Sequence, residues 1–288
     1  MHTPKLSVVI LTYNSEKDID ACLQSIYKCN DLGDDLEVIV VDNNSDEQTK
    51  LQNHIKESYS RVVYIQNSVN TGYGSGNNRG INVSTAPYVL IMNPDVRLRD
   101  FSFQRIVANF DKHSNFGLQG FKQFETSSQR GASFVMLKPC LISFFSQKIY
   151  HKLDLYNSRL FCFHGSCFAL RKACFKSVGY FNEEVFLYGE ERYLHYHLLK
   201  TKYFKAFYDN TQSYIHPIHG RALVLNQAEL GLKSYLKTID YFGLNRRRLI
   251  KAQIRFEYLF YWKSLLFGRT DKAKFYLAKI ERLKELLA

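Results

Sequence analysis

The chain predicts an α/β fold, a mostly parallel sheet flanked by helices, with a helical appendage at its C-terminal end. Three observations predict it. Four apolar runs rich in Val and Ile are too continuous for half-exposed strands and read as buried ones. The stretches between them can be helical, and repeated strand–helix units build parallel sheets with helices on both faces. Each run ends in polar residues, and open sheets of this kind bind ligands beyond the carboxyl ends of their strands.

The first run, residues 6–11, ends at Thr12-Tyr13-Asn14. A helix follows over residues 16–29, with Ile19, Cys22, Leu23 and Ile26 on one face and Ser15 as its N-cap. The second strand, 36–41, ends in Asp42-Asn43-Asn44-Ser45-Asp46, and the third, 62–65, in a polar glycine-rich loop over 70–80. That loop fails the dinucleotide fingerprint: three residues after Gly74 stands Asn77, and three after Gly76 stands Arg79. A nicotinamide or flavin cofactor is therefore not expected. Two readings remain, a surface loop or glycines that let backbone approach a ligand with Arg79 beside it. The fourth strand, 88–92, ends in Asn93-Pro94-Asp95.

Beyond it we expect a helix over 101–113, a strand over 116–121, and loops from there to about residue 160. Cys162, His164, Cys167 and Cys174 lack a paired C-x2-C knuckle and read as buried structural residues rather than a zinc site. Next come Tyr188-Gly189-Glu190-Glu191, two carboxylates directly after a glycine and at the start of a helical pattern. By position alone such a pair is helix-end electrostatics. A short strand over 203–208 precedes His216 and His219, which are either structural or complete an octahedral Mg or Mn shell begun by Asp95.

Helices are expected over 227–242, 246–267 and 271–287. Of the formal +12 charge, +9 lies in residues 221–288, so we divide the chain at 220 into an α/β domain and a basic amphipathic helical region. Such helices either pack on the core with solvated faces or lie on an anionic membrane surface. Their cations alternate with large aliphatic residues, which disfavours nucleic-acid binding. A chain of 288 residues, 45% of them hydrophobic, buries a sizeable core. Six cysteines without framework spacing and no apolar leader point to a reduced, cytoplasmic protein. No apolar run approaches the roughly 18 residues that span a bilayer.

Five of these segments, in order, resemble the motifs of family 2 glycosyltransferases of the GT-A fold. They are residues 7–14, 41–45, 70–80, Asn93-Pro94-Asp95 and 186–191. The resemblance implies an inverting transferase with a nucleotide-diphospho-sugar donor, dTDP- or UDP-linked. Thr12, Tyr13, Asn14, Asp42, Asn44, Gly72, Asn78, Arg79 and Asn93 would contact the donor. Asp95, with His216, would hold Mg or Mn; Tyr188 and Glu190 would face the acceptor, alongside the loops up to residue 160. Glu191 would be the base. Two positions depart from the usual pattern: Asn93 replaces the first Asp of D-x-D, and Glu191 the Asp of E-D. The Asn-Pro-Asp form, the Phe-x-Tyr-Gly-Glu motif and the basic helical tail look most like rhamnosyltransferases that extend lipid-linked bacterial surface polysaccharides. That implies dTDP-rhamnose as donor, a saccharide or polyprenyl-diphosphate-linked acceptor, and a place at the inner face of the cell membrane. The alternatives are a UDP-sugar such as galactofuranose, glucose or GlcNAc, or a non-catalytic nucleotide-sugar-binding protein.

Overall fold

A computed structural model describes residues 2–138, 141–217 and 225–287, with the backbone alone at 141, 142 and 227. The elements run β1 Leu6–Thr12, α1 Glu16–Lys28, β2 Leu36–Asp42, α2 Gln48–Ser58, β3 Val62–Gln66, α3 Gly72–Val83, β4 Tyr88–Met92, β5 Arg97–Leu98 and α4 Phe103–Lys112. There follow β6 Phe116–Phe124, β7 Phe134–Met136, α5 Leu141–Lys152, β8 Phe161–Phe163, β9 Cys167–Arg171, α6 Lys172–Ser177, α7 Glu190–Thr201 and β10 Lys205–Ile215. The chain continues through α8 Leu225–Tyr241, α9 Arg246–Leu266 and α10 Thr270–Glu285.

Eight strands form one sheet in the order β3-β2-β1-β4-β9-β6-β10-β5. β1 pairs in parallel with β2 and β4, β2 with β3, and β6 with β10, whereas β9 and β5 run against their neighbours. The sheet is thus mostly parallel, as expected. β9 escapes sequence reading because a buried antiparallel strand shows the same continuous apolar run, and β5 because two residues, Arg97 and Leu98, are too short for any pattern.

Alternation along the strands sorts the core onto two faces. Val8, Ile10, Val38, Val40 and Leu90 pack against Ile19, Leu23, Ile55, Phe103 and Phe110 of α1, α2 and α4. Val9, Ile39, Val41, Val89 and Ile91 pack against Ile81, Phe175, Leu194 and Leu198 of α3, α6 and α7. Ser15 does stand at the N-cap of α1, but its hydroxyl donates to the Tyr13 carbonyl instead of capping the helix.

Two expectations are corrected. The segment before β8 is not only loop: α5 and the two-stranded β7–β8 sheet form there. Residues 70–80 are not a loop either, because α3 begins at Gly72. Its glycines serve packing. A Cβ on Gly76 would lie 2.4 Å from Leu11 Cδ1, and one on Gly80 would lie 2.4 Å from Val9 Cγ1 and 3.0 Å from Val41 Cγ2. Helix propensity alone disfavours glycine by about 1 kcal/mol relative to alanine, so it is the close approach to β1 and β2 that explains these residues.

Gly80→Ala tests this. The gain in propensity should lose to an overpacking cost of about 1–3 kcal/mol against stiff β-branched neighbours. We expect a lower melting temperature by differential scanning fluorimetry; an unchanged or raised value would contradict the packing account.

Candidate active site

The polar residues predicted at strand ends do gather at one edge of the sheet. Thr12 closes β1, Asp42 closes β2, Asn93 follows β4 and His216 follows β10, its backbone N–H still donating to the Phe124 carbonyl of β6. Parallel strands place their carboxyl ends on the same side, so residues far apart in the chain become neighbours. Tyr13 stands 48% exposed beyond β1, its ring available to a flat ligand.

Other residues at this edge are engaged with one another. Asp42 is fully buried, accepting from the Ser45 hydroxyl at 2.5 Å and from Gln66 Nε2 at 2.9 Å. Asn14, in the left-handed region at φ 50°, exchanges hydrogen bonds with Asp46 and donates its backbone N–H to Ser45 Oγ. Asn44 shares the left-handed conformation at φ 68°, which asparagine tolerates better than most residues.

Asn78 is committed to structure: it donates to the Phe181 carbonyl and to Glu183, and accepts from the Phe181 N–H. Arg79, exposed on α3, donates to Asn67. Sequence reading passed over Asn43, which is 3% exposed and ties the edge together. Its amide donates to Asn70 and the Gly72 carbonyl and accepts from Asn67 and Thr71. The signal for it was its place directly after the strand-ending Asp42.

Asp95 and His216 meet, with Nε2 3.4 Å from Oδ1. His216 is 1% exposed, and neither ring nitrogen has a hydrogen-bond partner among the described residues. The His164 ring lies edge-on to it at 5.3 Å. His219 lies outside the described residues. A buried imidazole without hydrogen bonds beside a carboxylate is the donor chemistry a divalent ion uses. Among the described residues no group of three or more ligating side chains occurs, so the protein would offer two ligands. Mg commonly takes its remaining positions from substrate phosphates and water.

The acid pair opens α7. The turn before it is strained at Tyr188, with φ 72°, while Gly189 takes φ 95° without a Cβ to oppose it. Three contacts hold it, the Tyr73 N–H donating to the Phe186 carbonyl, Ser234 Oγ donating to the Leu187 carbonyl, and Gly231 set against Tyr188. Glu190 is 2% exposed, and its Oε1 has no partner among the described residues. Burial, and then the charge of Glu191, raise its carboxyl to about 8. Glu191 is only half-buried and lies near Gly165, whose carbonyl accepts from the Tyr73 hydroxyl at 2.5 Å. The neighbouring Ser166 carbonyl accepts from the Asn93 N–H, so a short path of contacts joins the acid pair to the Asp95 end.

Cys162, Cys167 and Cys174 are buried on β8, β9 and α6, and burial raises each thiol, that of Cys174 to about 12. His164 meets Ser166 Oγ at 3.0 Å.

The low-salt glycan biosynthesis hexosyltransferase Agl10 of Haloferax volcanii is 28% identical over 200 residues, covering 65% of this chain and 59% of that protein. A Campylobacter jejuni protein named GalNAc(5)-diNAcBac-PP-undecaprenol beta-1,3-glucosyltransferase is 28% identical over 211 residues, 71% of this chain and 63% of its own. The chain thus spans about three fifths of the length of these curated relatives. The mannosyltransferase PcManGT of Pyrobaculum calidifontis, solved with GDP-Man and Mn2+, superposes with a TM-score of 0.59 at 17% identity, covering 83% of this chain and 65% of that one. Its likeness bears on the fold, which is that of the GT-A glycosyltransferases. The sequence profile of glycosyl transferase family 2 matches residues 7–179, and the chain belongs to that family.

Proposed function

We propose that this chain is an inverting glycosyltransferase that moves a sugar from a nucleotide-diphospho-sugar to an acceptor hydroxyl in surface glycan synthesis. One observation carries the reading: the Asp95–His216 pair and the Glu190–Glu191 pair stand at the same sheet edge, linked through Tyr73, Gly165, Ser166 and Asn93. Family membership and the glycan-building names of the relatives support it.

Tyr13 stacks on the base of the donor, while Asn43 and Asp42 hold the Asn-rich edge in shape around it. Asp95 and His216 would hold a divalent ion, which supplies Lewis-acid neutralisation of the diphosphate leaving group. Glu191 accepts the proton of the acceptor hydroxyl as its oxygen bonds to the anomeric carbon and the bond to the diphosphate breaks. Attack from the face opposite the leaving group gives inversion. The two carboxylates divide the work. Glu190, with its carboxyl raised to about 8, keeps its proton at neutral pH, which leaves Glu191 as the base.

For the donor we favour dTDP-rhamnose, on the Asn-Pro-Asp motif and the Phe-x-Tyr-Gly-Glu sequence, with UDP-sugars as the alternative. A lipid-linked acceptor is supported by the undecaprenol in the Campylobacter relative's name. Turnover of dTDP- and UDP-sugars in the presence of Mn or Mg tests the reading. Glu191→Gln should lose about 10²–10⁴ in kcat with donor affinity nearly intact. Asp95→Ala should instead lose the metal dependence of donor binding. Near-normal turnover in Glu191→Gln would remove it as the base.

Glu190 makes stability depend on pH. Below its ordinary value of 4.5 both folded and unfolded chains hold the proton. As pH rises from there to about 8 the unfolded chain releases it and the folded chain does not, so stability falls, on the order of 1 kcal/mol per pH unit, and then levels out. Urea unfolding of Glu190→Gln should lack this slope. An identical pH profile in variant and parent would refute the burial of a protonated Glu190.

We also propose that the chain rests on an anionic membrane surface at the inner face of the cell membrane. No helix among the described residues is long and apolar enough to cross one. Phe145 and Ile149 on α5 and Leu153 just past its end are exposed at a spacing of four, on one side of the helix. Trp262, Leu266 and Phe267 are exposed at the end of α9, against which α5 packs through Phe144 on Phe256 and Phe260. Lys148, Lys152, Lys263, Arg269 and Lys272 are exposed around them. Each cation near an anionic surface contributes about 1 kcal/mol, and apolar side chains add burial in the headgroup layer. The protein should sediment with phosphatidylglycerol vesicles but not phosphatidylcholine ones, and Trp262→Glu with Leu266→Glu should weaken this at least tenfold. Equal sedimentation of the double variant would rule out this face.

A further inference from the structure

Between the acid turn and the C-terminal helices lies a cavity of about 270 Å3 that the donor scheme leaves unused. Tyr188 and Arg192, on either side of the acid pair in sequence, line it together with residues of α8, α9 and α10. Its position follows from the fold, because α8 packs on the acid turn through Ser234 and Gly231 while α9 and α10 close the far side.

Two of the three cations in its wall are paired with carboxylates. Lys279 Nζ pairs with Glu257 at 2.7 Å, Arg282 Nε with Glu229 at 3.5 Å, and the charge of Glu191 supports that of Arg192 against burial. Arg192 also donates through Nε to the Met136 carbonyl and lies over the Tyr235 ring; phosphate recognition relies on Arg or Lys without such partners. The wall instead offers paired carboxylate, amide and guanidinium groups beside two aromatic rings, those of Tyr188 and Tyr235. Gln253 Nε2 and Lys279 Nζ both donate to the same oxygen of Glu257, Oε1. Its Oε2 and the Tyr235 hydroxyl are buried without a partner among the described residues. Such groups persist in native structures where a bound molecule or water completes them. Planar polar groups suit vicinal hydroxyls, rings suit the apolar face of a pyranose, and the volume sits just below the roughly 300–1,000 Å3 of most small-molecule sites.

We propose that this cavity is an acceptor subsite for one uncharged sugar unit, next to the unit whose hydroxyl reaches Glu191. It rests on the glycosyl-transfer reading above. The full chain at millimolar concentrations of methyl glucoside, galactoside, rhamnoside and N-acetylglucosaminide, observed by saturation-transfer NMR, tests it. Ring protons of at least one glycoside should be saturated. Ala228→Phe, which fills the cavity, and Glu257→Gln should cut that signal at least fivefold, while Asp95→Ala keeps it. Tyr235→Phe removes a hydroxyl without a partner and leaves the ring over which Arg192 lies, so it should keep its melting temperature yet lose signal. Absence of saturation by every glycoside, equal signals in parent and Ala228→Phe, or displacement of the glycoside by millimolar pyrophosphate would each overturn the proposal. Failure of the transfer reading shows separately, as glycoside contact in a protein that consumes no nucleotide-sugar.

Discussion

The site depends on how closely α3 approaches its neighbours. Gly76 and Gly80 bring the helix onto β1 and β2 at distances that exclude a side chain, and Gly72 brings its first turn against the Phe186 carbonyl, where a Cβ would stand 2.2 Å away. The Tyr73 N–H then donates to that carbonyl. One helix thereby sets the spacing between the Asn-rich ends of β2 and β3 and the acid turn more than 100 residues later. Glycines that resemble a flexible ligand loop in sequence are the rigid part of the site.

That spacing has an electrostatic consequence. With α3 tight against the turn, Gly74 lies beside the stem of Glu190, whose carboxyl is sealed from water. A sealed carboxyl next to a second carboxylate holds its proton, because burial and like charge both disfavour ionisation. Two identical side chains in succession therefore acquire different properties from their surroundings, one buried with its carboxyl pushed up, the other half-buried and near Gly165. The strained conformation at Tyr188 persists because α3 and α8 hold the turn from both sides.

The C-terminal helices contribute to this arrangement and not only to charge. α8 supplies Ser234 to the acid turn and Tyr235 to the small core it shares with Ile250 of α9 and Leu283 of α10. A face of exposed aromatic and aliphatic residues lies at the end of α9, and the cavity lies on the side toward the acid pair. An acceptor with a lipid at one end and a sugar at the other has chemistry that suits both.

Much of this was legible in the sequence, because burial writes itself into apolar runs and polar strand ends. The four early strands, the helices after the first two and the placing of Tyr13, Asp42 and Asp95 beyond the strand ends followed from period, run length and parallel topology, whereas His216 and Glu191 entered through the resemblance. The reversed direction of β9 did not, since hydrophobicity carries no strand polarity. Nor did the helix over Gly72–Val83, where glycine's poor propensity is overridden by packing against Leu11 and Val9. Asn43 as a hub, the sealed proton on Glu190 and the cavity beneath α8 arise from contacts between segments distant in the chain. Residue identity determined which chemistry could occur at the edge; only tertiary packing decided which carboxylate keeps its proton, because desolvation is set by neighbours in space.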